Sequence, residues 1–320
     1  TFANPYNDAV DSAGNLYIAD TANNRIRMVN AKTGVVSTVA GTGNTGYTGD
    51  LGAATSATLN APAAVAIDSS NNIWIADTNN QVIRKVLAAT GVISTVAGDG
   101  LACQPPPSIC GDGGPATSGN LSDPLAIAVD AAGNLFISDY TAQRVRVVSA
   151  STQIITTVAG TGMVGGTGDG GLATFAKLNH PLGLAVDASD NVYIDDSQNN
   201  RVREVKSSDG NIYAYALSGV AHLQGDGGPK LLAGQWNPLE LSIDPSGNLF
   251  IGGGNQSVVR RVDSISGTIG TVAGYLPKGL GGYSGDGGPA TSAKLSNIGL
   301  TVDGQSNLYI ADAGNNRIRL

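Results

Sequence analysis

One phrase recurs six times along the 320-residue chain, and a recurrence of this kind dictates a repeat architecture. The first copy reads GNLYIADTANNRIR and occupies residues 14–27. Measured at the residue that ends the IAD triplet, successive copies are 57, 62, 57, 57 and 59 residues apart. We take that residue as the anchor of each copy: Asp20, Asp77, Asp139, Asp196, Gly253 and Asp312.

Each copy reads as four short strands, of the types PLGLAVD, NLYIAD, NRIRMV and VISTVAG. The second strand is apolar on both faces, so it must lie between two other sheets. Four antiparallel strands per unit favour propeller blades over a linear solenoid, and we predict an all-β, six-bladed β-propeller with four-stranded blades, forming one domain over residues 1–320. An aromatic residue falls three before each anchor, and we predict that all six are buried: Tyr17, Trp74, Phe136, Tyr193, Phe250 and Tyr309.

Two charged positions recur in all six copies, which indicates a structural role rather than catalysis. An aspartate nine before the anchor precedes a DxxGN turn and is expected to accept that turn's N–H groups. An arginine seven after the anchor lies one diagonal step from it if the second and third strands form a hairpin, so we predict buried Arg–Asp pairs. The aspartates are Asp11, Asp68, Asp130, Asp187, Asp244 and Asp303; the arginines are Arg27, Arg84, Arg146, Arg203, Arg260 and Arg319. In the fifth copy Gly253 leaves Arg260 without this partner.

Composition limits the partners. The net charge is −7, whereas affinity for nucleic acid comes mostly from Lys and Arg, so we predict no nucleic-acid partner. No apolar run approaches the roughly 18 residues that span a bilayer, so we predict no membrane insertion. The chain has neither an initiating Met nor a signal peptide, and we expect it to be processed or trimmed.

The segments GDGGPATSAKL, AVDASDNVYI, IADTANNRIRMV and VISTVAG resemble NHL repeats over essentially the whole chain. The resemblance implies a six-bladed propeller but not one activity, since members include RNA-binding regulators, peptidyl-hydroxyglycine lyase, sensor domains of receptor kinases and secreted bacterial proteins. The RNA-binding members use a basic face. Here the corresponding loops carry acids, from which we expect an acidic face: Asp50, Asp112, Asp169, Asp226 and Asp286.

The sequence lacks the motifs of familiar catalytic sites. A lyase of this family would need several zinc-binding histidines, and the chain has only His180 and His222, whereas catalytic zinc normally takes three protein ligands. No GxSxG motif occurs, and the Gly-rich loop at 160–171 has no Lys-Ser/Thr ending. We predict no metal site and no cofactor. Calcium bound by the Asp-Gly-Gly loops is the alternative, although their spacing lacks the carboxylate cluster of a dedicated site.

A functional site is expected where one copy departs from the others, because identical blades give a ring no asymmetry. Residues just before and within the first strand of each blade should line the central channel and its mouth. Most copies place small or aliphatic residues there, and the exceptions are our candidate ligand-binding residues: Trp236, Glu240, His180, Asp123, Tyr6, Asn7 and Asp8. Such a mouth suits a sugar, a peptide or a cation. The alternative is a water-filled channel that merely tolerates polar side chains.

Two cysteines, Cys103 and Cys110, lie in the loop between the second and third copies, where the spacing is five residues longer than the usual 57, and no other loop holds a Cys. An insertion with two Cys and three Pro indicates a disulfide, which forms in an oxidising compartment. We therefore predict a protein that is secreted or exposed at the cell surface.

These features favour a secreted or surface-exposed NHL propeller that acts as a binding or scaffold module for a protein, peptide or glycan. It is expected to act alone or as one module of a larger extracellular assembly. The alternative is a metal-dependent lyase or lactonase-like enzyme at the channel mouth, with Glu240, Asp8 and His180 near the chemistry.

The ends of the repeat pattern predict an incomplete sixth blade. The sixth copy stops within its third strand, so that blade should have three strands and an open edge. Two explanations remain open. Either the chain is trimmed from a longer protein, or the edge accepts a strand from another chain and so serves self-assembly.

Overall fold

The computed structural model describes residues 1–104, 109–254, 256–275 and 282–320. Blade 1 contains β1 (Pro5–Val10), β2 (Leu16–Asp20), β3 (Arg25–Val29) and β4 (Val36–Ala40); blade 2 contains β5 (Ala64–Ile67), β6 (Ile73–Asp77), β7 (Val82–Val86) and β8 (Ile93–Ala97); blade 3 contains β9 (Pro124–Val129), β10 (Leu135–Asp139), β11 (Arg144–Val148) and β12 (Ile155–Ala159). Blade 4 contains β13 (Pro181–Val186), β14 (Val192–Asp196), β15 (Arg201–Val205) and β16 (Ile212–Ala216); blade 5 contains β17 (Pro238–Ile243), β18 (Leu249–Gly253), β19 (Val259–Val262) and β20 (Ile269–Ala273); blade 6 contains β21 (Ile298–Val302), β22 (Leu308–Asp312) and β23 (Arg317–Arg319).

The six antiparallel sheets form a propeller, as predicted. Each first strand contacts the first strands of both neighbouring blades, and β21 contacts β1 to complete the ring. Blade 6 has three strands in the described part of the chain, and the other blades have four. The hairpin register is the predicted one, because each anchor Asp pairs with the residue five later, as Asp20 does with Arg25.

Short 3-10 helices occur in two places. One set follows the second strand of a blade: Thr21–Asn23, Thr78–Asn80, Ser197–Asn199 and Ala313–Asn315. The other lies in the linkers between blades: Ala54–Ser56, Ala116–Ser118, Ala173–Phe175 and Ala290–Ser292. We call the face where first strands begin and second strands end the upper face. The DxxGN turns lie on the opposite, lower face, where the Asp11 carboxylate accepts the N–H groups of Ala13 and Asn15, as expected for that turn.

The hydrophobic core lies between blades. The aromatic residue of one blade packs with the first residue of the next blade's outer strand, as Tyr17 does with Ile93 and Trp74 with Ile155. Five of the six aromatics are buried, but Tyr309 is partly exposed, so the prediction for that residue is wrong. It faces the junction of blades 6 and 1, where Val36, the counterpart of Ile93, is itself 40% exposed.

Four of the six recurring arginines are the largest fully buried side chains of the described chain. Arg84, Arg146 and Arg203 are fully buried and lie 3.4–3.6 Å from the anchor aspartates of their own blades. In blade 5 the anchor is Gly253, and the buried amide side chain of Gln235 occupies the adjacent space. Arg260 remains buried there, donating to the Gly234 carbonyl.

A closer carboxylate reaches each of these arginines from the linker that enters its blade. Asp50 lies 2.6 Å from Arg84, and Asp169 lies 2.7 Å from Arg203. The same pairing joins Asp112 to Arg146, Asp226 to Arg260 and Asp286 to Arg319. The expectation that these five aspartates create an acidic face needs correction, since each is neutralised by an arginine. The argument against nucleic acid therefore depends on the net charge alone.

Backbone-to-amide hydrogen bonds tie the upper ends of neighbouring blades together. At five junctions the residue that precedes the first strand has a positive φ, and its N–H donates to an Asn or Gln of the preceding blade. The pairs are Ala61 to Asn24, Asp123 to Gln81, His180 to Gln143, Asn237 to Asn200 and Asn4 to Asn316. The last of these, 2.7 Å long, closes the ring between blades 6 and 1.

The linker ion pairs give a stability prediction with a control inside the chain. Arg203→Met removes the arginine that pairs with both Asp169 and the buried Asp196, so we expect a loss of roughly 3–5 kcal/mol in the free energy of unfolding. Arg27 has no linker aspartate and is 20% exposed, so Arg27→Met should cost about 1 kcal/mol. Urea denaturation of both variants measures the difference; equal losses would show that the linker carboxylate contributes nothing.

Candidate functional site

The predicted site residues fall into two groups at different depths. Asp123, His180 and Trp236 lie in the turns of the upper face, in blades 3, 4 and 5. Asp123 and His180 occupy positive-φ positions and are held by the amide hydrogen bonds described above. The His180 ring lies against Tyr140, with ring centroids 4.7 Å apart. The backbone of both residues is therefore fixed by the neighbouring blade, and their side chains are partly exposed and hydrogen-bonded to neighbouring residues.

Trp236 is the exposed aromatic of this group. Its side chain is 50% exposed, and its backbone N–H donates to Gln256 Oε1 at 3.0 Å. In the other blades the equivalent N–H is accepted by the anchor aspartate, as Asn60 N–H is by Asp77. With Gly253 as its anchor, blade 5 uses Gln256 instead. A half-exposed tryptophan, held at its backbone, thus lies on the upper face where the repeat pattern is broken.

Tyr6, Asn7 and Glu240 form the second group, around the central axis. Asn7 Oδ1 accepts from the Val65 backbone N–H at 2.9 Å, and the Asn7 side chain also interacts with the Glu240 carboxyl although blade 6 lies between their blades, so both lie near the axis. Both are buried. The glycines at the equivalent position leave no space, since a Cβ on Gly183 would lie 2.7 Å from Glu240 Cα. The first strands therefore pack tightly at this level, and Glu240 lies inside the ring.

Asp8 lies in the junction of blades 6 and 1. Its counterparts in the other blades are aliphatic residues of the inter-blade cores: Val65, Ile127, Leu184, Leu241 and Leu300. Its carboxyl is buried, and within the described residues no other side chain or backbone group hydrogen-bonds it. This is a packing position occupied by a carboxyl group.

Asp195 belongs to the axial group but was missed from the sequence. It is fully buried in β14, next to the anchor Asp196, and neither of its carboxyl oxygens has a hydrogen-bond partner among the described residues. The other copies have Ala, Ser or Gly at this position, so the comparison of copies that selected Glu240 would also have selected Asp195. Asp195 lies in a second strand, whereas the candidate positions predicted from the sequence lie before and within the first strands.

Burial governs the charge state of these acids. It raises the pKa of Asp8 to about 7. Burial is also the main cause that raises the pKa of Glu240 to about 8, with the Asp8 carboxylate adding to it. The pKa of Asp195 lies well above its usual value, first through burial and then through Asp196 and Glu240. The axial carboxyl groups therefore hold protons at pH values where ordinary acids are ionised.

Two cavities lie away from the predicted site residues of the upper face. One of 530 Å³ opens at the lower face beside Asp187, Asp244 and Asp303, whose carboxylates already accept hydrogen bonds within their turns. The other, of 770 Å³, runs along the edge of blade 6. In the described part of the chain no three His, Cys, Asp or Glu side chains converge as metal ligands.

Cys103 and Cys110 form a disulfide, with Cα atoms 5.2 Å apart, as predicted. The intervening residues 105–108 lie outside the described part of the chain. Arg144 Nη1 lies 3.1 Å from Cys110 Sγ, so the bridge packs on the third strand of blade 3. Among the described helices, none has the length and apolar character needed to cross a membrane.

Known proteins resemble this chain both in sequence and in fold. A family model for the teneurin NHL domain matches residues 92–167. Mouse teneurin-1 is 32% identical over 289 residues, an alignment that covers 78% of this chain; the chain spans only 10% of the teneurin. The fold is similar to that of an auxiliary nutrient binding protein from Bacteroides thetaiotaomicron, with TM-score 0.69, 15% identity and coverage of 99% and 68% of the two chains. It is also similar to virginiamycin B lyase from Staphylococcus aureus, with TM-score 0.56, 15% identity and coverage of 98% and 79%.

The raised pKa of Asp8 predicts how stability changes with pH. The folded state binds this proton more tightly than the unfolded chain, so the free energy of unfolding falls as pH rises from about 4 to about 7. Asp8→Asn removes that loss. We expect a gain of roughly 4 kcal/mol at pH 8 and almost none at pH 4, measured by urea denaturation.

The matched control is Asp190→Asn, which changes an exposed carboxyl in a lower-face turn. Its effect should be the same at both pH values. If Asp8→Asn also changes stability equally at pH 4 and pH 8, the Asp8 carboxyl does not titrate in the way described.

Proposed function

The chain belongs to the NHL-repeat β-propeller family, and from that premise we propose that it is a binding module that recognises polypeptide through its upper face. In this proposal residues 1–320 act as one domain, and the binding surface is the aromatic and polar strip formed by Asp123, Tyr140, His180 and Trp236.

Trp236 is the observation that carries the proposal. A tryptophan that is half exposed yet fixed at its backbone offers a large apolar contact at little cost in conformational entropy. Tryptophan is also among the residues that contribute most to protein–protein binding energy. Neighbouring polar groups, such as the Asp123 carboxylate that accepts from Thr141, supply the hydrogen-bonding rim.

The surface favours a polypeptide over a small molecule. Neither of the two cavities described above is lined by Trp236, His180 or Asp123. Small ligands are usually enclosed in a concave pocket, whereas protein partners bind flatter surfaces. A glycan is the alternative ligand, because an exposed indole face also accommodates a sugar ring.

A metal-dependent lyase or lactonase receives support only from fold neighbours such as virginiamycin B lyase, and a fold is not an activity. The residues assigned to that chemistry do not meet in one site. His180 lies in an upper turn, Asp8 in the junction of blades 6 and 1, and Glu240 at the axis.

A location outside the cell is part of the proposal. The Cys103–Cys110 disulfide supports it, since such bonds persist in oxidising compartments. The matches to teneurins cover a small part of those proteins, which supports a role as one module within a larger assembly.

The test is a selection of random displayed peptides against the immobilised chain, with a glycan array as the second arm. Selected peptides should lose affinity by about thirtyfold or more on Trp236→Ala, in keeping with a hot spot of roughly 2 kcal/mol. The control is Phe175→Ala, which removes another exposed aromatic, in the linker between blades 3 and 4. Peptides that bind the Trp236→Ala and Phe175→Ala variants equally well would contradict the proposed surface. Binding to glycans but to no peptide would show that the ligand is a sugar and not a polypeptide.

A further inference from the structure

The edge of blade 6 and the outer strand of blade 1 each lack a contact that the other blades make. We call these two places together the seam: the groove beside β23, and the surface formed by Arg27, Val35 and Val36. The remaining blades show what normally fills both positions. This inference does not depend on the proposed upper-face function.

The groove beside β23 has the shape of a missing outer strand. It encloses 770 Å³ and is lined by apolar residues of blades 5 and 6, including Phe250, Ala273 and Ile310. Four outer strands bury an isoleucine against the aromatic residue of the preceding blade: Ile93, Ile155, Ile212 and Ile269. The core around Phe250 contains no such residue within the described chain.

Backbone groups that bind the outer strand in the other blades also line the groove. In blade 3, Ile155 N–H donates to the Gly114 carbonyl and its own carbonyl accepts from Gly113 N–H. Blades 2, 4 and 5 make the first of these bonds in the same way, as Ile212 N–H does to Gly171. The equivalent glycines of the last linker, Gly287 and Gly288, face the groove, where the described chain provides no strand.

Blade 1 shows the complementary deficit. Arg27 is 20% exposed, and among the described residues its only carboxylate partner is the anchor Asp20, at 3.7 Å, whereas Arg84, Arg146 and Arg203 also pair with a linker aspartate. Val35 and Val36 are 61% and 40% exposed. The isoleucines that correspond to Val36 in blades 2 to 5 are buried, because the entering linker covers them.

At every intact junction one continuous segment fills both positions. Residues 155–178, for example, form the outer strand of blade 3 and then the linker whose Asp169 pairs with Arg203 of blade 4. We propose that the seam binds one polypeptide segment of this strand-and-linker type, supplied from outside residues 1–320. Its strand would add antiparallel to β23, its inward aliphatic residue would cover Phe250, and its aspartate would pair with Arg27.

The probe is a synthetic peptide with the sequence of residues 154–178, titrated into the intact chain by calorimetry. We expect saturable one-to-one binding and a rise in melting temperature. Amide exchange should show new protection at Arg317–Arg319 and at Val35–Val36 and no change in blade 3, from which the sequence was taken. A peptide with Ile155→Asp should not bind, because a carboxylate cannot be buried against Phe250.

A double-mutant cycle tests the ion pair. Asp169→Asn in the peptide and Arg27→Gln in the chain should each weaken binding by about tenfold, and the two together should cost little more than one. If weak association hides the effect, fusing the peptide through a flexible Gly/Ser linker to Thr1 raises its effective concentration. The fusion should then increase the melting temperature, and the Ile155→Asp fusion should not.

Three outcomes would overturn the inference. The first is no binding and no stabilisation by the fusion. The second is binding that is insensitive to both Ile155→Asp and Asp169→Asn, which would be non-specific adhesion to the edge. The third is a dimer of the unmodified chain, seen by sedimentation, in which β23 and Val35–Val36 are already protected from exchange; the occupant would then be a second copy.

Discussion

The interaction on which the molecule most depends is the ion pair between a buried arginine and an aspartate of the linker that comes from the preceding blade. A propeller blade contacts only its neighbours, so the linker must be fixed to both blades if the ring is to be rigid. The Asp169–Arg203 type of contact does this, because it bonds a loop that leaves one blade to the centre of the next. The arginine would be costly to bury alone, and the two carboxylates around it make its burial favourable.

Polar side chains occur in the ring at positions where one copy of the repeat differs from the others. Where Gly253 replaces the anchor aspartate, Trp236 and Gln256 replace the usual backbone contact on the upper face. Where blade 6 meets blade 1, Asp8 occupies a position that is aliphatic in the other blades, and Tyr309 loses part of its cover. The closed ring at this junction relies on strand contacts and on the Asn4–Asn316 hydrogen bond rather than on a full hydrophobic core.

The sequence predicted the fold, the strand register and the three-stranded sixth blade, because each follows from a pattern that repeats at a fixed spacing. It also predicted the approach of Arg84 to Asp77, which are seven residues apart. It did not reveal Asp50 as the closer partner of Arg84, although four linker aspartates precede their arginines by 34 residues. That constant spacing was visible, but only the course of the linker between blades shows that it brings the two groups together.

The candidate site was less accessible to prediction. Positions along the first strands alternate between the axis and the inter-blade core, and a β-bulge between Pro5 and Asp8 shifts that alternation. Asn7 and Asp8 are adjacent in sequence, yet one points to the axis and the other lies in a junction. Residues grouped by sequence position as one channel mouth therefore separate into an exposed upper surface and a buried axial cluster.

Native-state amide hydrogen exchange, resolved by strand, tests most directly whether linker contacts hold the ring together. The account predicts strong protection of the outer strands β8, β12, β16 and β20, whose first residues are covered by an entering linker. Faster exchange is predicted for β4 and β23, which lack that cover. If β4 were protected as strongly as β8 in the isolated chain, the linker contacts would not be the source of blade stability.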